Sequence, residues 1–222
     1  MLDKMHLQLH AWELCDDRRA IFLNCYTQMT QNMFLALDAG EFHDRVWVNR
    51  LLHRFADYYF VALNTYTRAQ PAAPVWQIAF DAAARADTAP LANLFLGVNA
   101  HINYDLVLTV YDLLHPEWAT LSPALRQLRY EDHTHVNEVI AGTIDRVQDT
   151  VLERYTPSLD LVDKLLGPLD EWMTAKMIAR WRETVWHNAV QMVEGETEPV
   201  REAVRRAVEA DALRLARFIV GG

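Results

Sequence analysis

Four polar residues stand close together in LGVNAHINYDLVLTVYDLL, residues 96–114, a stretch whose other members are mostly apolar. They are Asn99, His101, Asn103 and Asp105. Residues four apart share one face of a helix, so His101 pairs with Asp105 and Asn99 with Asn103. The two pairs lie about 160° apart at roughly 100° per residue. An Asp four residues after a His supports three readings. It can orient the imidazole and raise its basicity, giving a general base. The two can bind one metal from a single helix face, with further ligands from other helices. Or they satisfy each other as a core hydrogen bond. Buried amides and carboxylates cost stability unless they find partners. Four of them within two turns imply a polar network or a pocket.

Other clusters follow the same logic. A second His-x-x-x-Asp pair, His53 and Asp57, lies in LLHRFADYYF beside Arg50 and Arg54. Two such pairs are loosely similar to those of the all-α zinc phospholipases and nucleases, which use several more His and Asp ligands. The metal candidates are therefore His101 and Asp105, and more weakly His53 and Asp57, with a divalent metal as the cofactor such a set would take. In YEDHTHVNEV, residues 130–139, His133 and His135 diverge on a helix; His133 with Asn137 and Asp132 with His135 are the same-face sets. In WRETVWHNAV, residues 181–190, Arg182, Trp186 and Asn188 offer a cation, a large ring and an amide, which can wall a pocket or simply pack. No GxGxxG, Walker loop, GxSxG, HExxH or CxxCH is present.

The elements that must position these groups read as helices throughout. Apolar residues recur at helical spacing over 9–38, up to Gly40, and over 43–68, up to the QPAAP loop. Further helices are expected at 75–86, 91–114, 123–154, 159–166, 169–194 and 197–219. Pro116 discourages His115 from remaining helical. No alternating strand pattern persists. The expected fold is all-α, one helical domain over 1–222 with about seven to eight helices and a buried central helix near 91–114.

Composition narrows the partners. Half of the residues are hydrophobic (51%), and no low-complexity linker interrupts the chain. A net charge of −9 argues against nucleic acid, which needs clustered Lys and Arg. The one basic cluster, Arg201, Arg205, Arg206, Arg214 and Arg217, alternates with acidic residues and reads as a salt-bridged helix face. Cys15 and Cys25 read as two buried free thiols. Neither an apolar signal segment nor a membrane-spanning run is present, so the expected setting is the cytoplasm. Seven Trp and eight Tyr would suit an exposed patch for a homodimer or a core equally well.

The motif also carries a resemblance. APLANLFLGVNAHINYDL, residues 89–106, resembles the NAHINxDL signature of the mostly bacterial domain-of-unknown-function family DUF5995. CYTQMT (25–30), FADYYFVAL (55–63), PVWQIAF (74–80), HVNEVI (135–140) and WHNAV (186–190) agree in order and spacing, so the resemblance covers about 20–192. It implies shared polar positions at Asn99, His101, Asn103, Asp105, Asn137, Trp186 and Asn188, and it implies no particular reaction. Together with the physics it makes the 96–106 stretch the floor of a polar pocket, toward which neighbouring helices would bring Tyr58, Asp132, Asn137 and Trp186. Two functions follow. In one, the chain is an enzyme on a small molecule: His101 and Asp105 do acid–base chemistry or metal-assisted hydrolysis, and Asn99, Asn103, Asn137, Asn188, Trp186, Asp132 and Tyr58 hold the substrate. In the other, the same residues form a buried hydrogen-bond network in a non-catalytic binding or structural protein.

Overall fold

The computed structural model describes residues 1–147 and 171–221, and among these every regular element is helical. The first two helices are α1 (Leu2–Glu13) and α2 (Ala20–Ala39). The periodicity over 9–38 suggested one helix, but the chain breaks between them. Asp16 adopts φ 53°, a left-handed conformation that Asp tolerates better than most residues. Asp17 then receives the backbone N–H of Arg19 on its carboxylate and that of Ala20 on its carbonyl, which starts α2 in a new direction. The turn leaves Cys15 exposed, whereas Cys25 is buried as expected.

Gly40, at φ 78°, closes α2 with a left-handed cap that a side chain would strain. The Asp44 side chain accepts from the Trp47 N–H and so caps α3 (Arg45–Thr67). Pro at the first turn starts both α4 (Pro74–Ala84) and α5 (Pro90–Asn99). From α5 the chain continues through a π-helical segment (Ala100–Asp105) into α6 (Leu106–Leu114) without leaving the helix axis. Beyond it lie α7 (Pro123–Val147), α8 (Glu171–Glu194) and α9 (Glu198–Gly221). With α5, the π segment and α6 taken as one helix, the described residues hold eight. The helix expected at 159–166 and the end of the one expected at 123–154 lie outside the described residues.

The 90–114 helix is the axis of the bundle. Leu96, Ala100, Leu106, Val107 and Val110 are almost fully buried. α2, α3, α4, α8 and α9 all pack on it. A helix apolar nearly all round has no face to give to water, which explains its central place. Gly97 allows α2 its close approach: a Cβ there would stand 2.4 Å from the Phe22 ring. On α9, Arg201–Glu198, Arg206–Glu202 and Arg214–Asp211 pair along the outer face, as the charge alternation suggested. No described helix is long and apolar enough to cross a membrane.

Candidate functional site

The π segment coincides with AHINYD, the heart of the motif. There the backbone bonds run one residue longer than in an α-helix: the Leu106 N–H donates to the His101 carbonyl. Such turns recur at functional sites because they displace side chains from α-helical positions. Here the segment presents His101 and Asp105 to α2, α3 and α4. His101 Nδ1 lies 3.0 Å from Asp105 Oδ2. The same carboxylate oxygen accepts the indole N–H of Trp76, from α4, at 2.9 Å. Thr109 Oγ1 donates to the Asp105 carbonyl at 2.8 Å, so this hydroxyl buried beneath the dyad is satisfied.

Aromatic rings enclose the imidazole. Phe55 stacks on it with centroids 3.5 Å apart and planes 6° from parallel, and Tyr26 meets it edge-on at 4.3 Å. Phe22, Tyr59 and Trp76 complete the box at 5.7–6.0 Å. In this apolar setting burial pushes His101 well below its ordinary range, which keeps it neutral at physiological pH. Burial pushes Asp105 up, and the Trp76 donor opposes that by favouring the carboxylate. When Asp105 is ionised, Nδ1–H donates to it and Nε2 carries the lone pair. Nε2 is buried and has no hydrogen-bond partner.

A cavity of about 110 Å³ adjoins the ring, between α2, α3, the π segment, α7 and α8. Its wall is mostly apolar, including Met29, Met33, Phe55 and Ile140, with His101 and Arg182 as its ionisable members apart from the Cys25 thiol and the Tyr26 hydroxyl. The volume is ample for several waters and approaches that of an engineered cavity of about 150 Å³ that binds benzene. Arg182 closes the far side from α8. Its Nε donates to Asn137 Oδ1 at 2.8 Å and its Nη2 to the His133 carbonyl at 2.6 Å. His133 Nε2 in turn meets the Arg182 carbonyl at 3.0 Å, so α7 and α8 are cross-tied at this level.

The remaining expected residues fall in other places. Asn99 is fully buried on the opposite side; it donates to the Ala212 carbonyl of α9 and accepts from Asn103 Nδ2, both at 2.9 Å. Asn103 and Asn188 line a separate groove of about 200 Å³ against α9. Tyr58 turns outward, where its hydroxyl and Arg54 both bond the Asp112 carboxylate. Asp132 accepts the backbone N–H groups of His43 and Asp44 at 2.7 and 2.9 Å and so fastens the start of α3 to α7. Asn137 reaches the cavity only through Arg182. Trp186 packs on Tyr130 and His133 and borders a third hollow, with Trp118 and Glu183. His53 and Asp57 are both exposed and share no bond. Among the described residues no three His, Cys, Asp or Glu side chains come together as a metal would require, so the metal expected at His101 and Asp105 lacks further donors.

Phe55, Tyr26 and Trp76 were not singled out as site residues, although all three lie inside motif strings that carry the family resemblance: FADYYFVAL, CYTQMT and PVWQIAF. Their membership in those strings was the available signal. No curated protein and no solved structure matches the chain. A family model does match, over residues 1–221, well beyond the span about 20–192 over which the motifs resemble it. The chain therefore belongs to DUF5995, a family of unknown function.

Proposed function

We propose that the protein is an enzyme that performs acid–base chemistry on a small, mostly apolar molecule held in the cavity beside His101. One observation supports this above others: the imidazole is fixed at Nδ1 by Asp105, its Nε2 is buried without a partner, and the ring lines a cavity. A buried polar atom without a partner costs about 1–3 kcal/mol, a cost that a role in ligand chemistry would explain. Asp105 orients the ring, Trp76 holds Asp105, and Phe55 keeps the ring dry and neutral. Nε2 then accepts a proton from a bound molecule, and the imidazolium returns it. The non-catalytic alternative accounts for Asn99, Asn103 and Asp105, each of which is bonded, but it leaves His101 Nε2 unexplained.

A panel of apolar ketones and esters incubated in D₂O and followed by mass spectrometry tests this. One class should gain deuterium next to its carbonyl, or be cleaved, in the presence of the wild type. His101→Ala should be about 100-fold slower or worse, given what a positioned base contributes. Absence of turnover and of any thermal shift across the panel, with a marked stability loss in His101→Phe, would favour the structural network.

A further inference from the structure

Arg182 is 3% exposed, and both of its hydrogen-bond acceptors, Asn137 Oδ1 and the His133 carbonyl, are neutral. A guanidinium carries five N–H donors. Two are used, and among the described residues Nη1 meets no acceptor and no carboxylate pairs with the group. Burial pulls its pKa down to about 9, so it is still charged at neutral pH. An uncompensated buried cation costs several kcal/mol, and helix cross-tying alone could be done by a neutral amide. The cation borders the same cavity as His101, and the wall between them is largely apolar.

The geometry points to a short apolar monocarboxylate as the ligand of this cavity, of about four to six carbons, since the space is somewhat smaller than a cavity of about 150 Å³ that accepts benzene, its carboxylate held by Arg182 and its body lying toward His101. This rests on the reading of the cavity as the substrate site. A carboxylate suits the position better than a phosphate: one planar guanidinium edge matches two oxygens, while a phosphate would need more donors than this wall provides. The positive charge then gains its missing partner only when the ligand is bound.

Calorimetric titration with pentanoate and with 1-pentanol, at neutral pH, tests the assignment. Wild type should bind pentanoate at least tenfold more tightly than 1-pentanol. Arg182→Met should lose that preference while binding 1-pentanol as the wild type does. Met29→Trp, which fills the cavity from α2, should lose both ligands. Equal binding of the two by wild type would overturn the carboxylate anchor and leave the cavity reading standing; this comparison needs no variant, so it holds even if Arg182→Met does not fold. Failure of wild type to bind either would overturn the anchor and the cavity reading together.

Discussion

The two faces of the central helix carry the same kind of sequence and end in opposite conditions. On one, Asn99 and Asn103 bond each other and the Ala212 carbonyl, which ties the π segment to α9. On the other, His101 bonds Asp105 and Asp105 accepts from Trp76, yet Nε2 of the ring has no partner, and the ring lines a cavity. Spacing does not separate the pairs, and burial does so only at Asn103, which is half-buried. The difference lies in whether each fully buried side-chain nitrogen and oxygen has a partner, and it divides a structural clamp from a group available for chemistry.

The contrast can be broken first at the clamp. Asn99→Ala should lower stability by about 2–4 kcal/mol, because it deletes two hydrogen bonds, one of them fully buried, and leaves a void. Urea denaturation reads the loss, and ligand binding in the cavity should be unchanged in the folded fraction. His101→Phe with Asp105→Asn should instead cost about 1–3 kcal/mol: the ring shape and an acceptor for Trp76 are kept, and the new amide N–H₂, facing an apolar ring, replaces Nε2 as the unpartnered group. A larger loss there than in Asn99→Ala would make the His101 face the structural one. Gly97→Ala should cost about 1–3 kcal/mol by overpacking. It must move Phe22, so it should also disturb the ring box around His101, visible as a change in near-ultraviolet circular dichroism.

Acid sharpens the comparison on α7. Burial, then the nearby Arg182 charge, hold His133 well below its ordinary range. Its unfolded form takes up a proton that the folded form refuses, so stability is full above about pH 6.5 and falls as pH drops below it. The limit is about 1.4 kcal/mol per pH unit for one group. His101 acts with the same sign. Asp105, pushed up, acts with the opposite sign, since its protonated form is favoured in the fold and stability is lost as pH rises through its folded pKa. The two members of that pair oppose each other, and substitution isolates the His133 contribution. Urea midpoints at pH 7.5 and 5.5 should differ less in His133→Phe than in wild type; equal differences would contradict the assignment.

Much of this arrangement was legible in the sequence, and the gaps have physical causes. Helix class follows from apolar periodicity, and Gly40, Pro74 and Pro90 mark ends that the structure places within a residue or two. The break at Asp16 carried no Gly or Pro signal. The π segment was illegible because a shift of one hydrogen-bond partner leaves side chains four apart still neighbours. The i, i+4 rule found the His101–Asp105 bond, but it says nothing of what lies opposite. Phe55, Tyr26 and Trp76 arrive from three other helices, so only tertiary packing brings them to the ring. Tyr58 shows how fine the margin is: one position along α3 turns a side chain by roughly 100°, and it is Tyr59 that faces His101.

The most direct test of the bare Nε2 is long-range ¹H–¹⁵N spectroscopy of histidine-labelled protein across pH 8 to 5. His101 should stay neutral throughout, with the proton on Nδ1 and a deprotonated Nε2 that shifts when pentanoate is added. A protonated Nε2 at neutral pH, or ordinary titration near 6.5, would contradict the account.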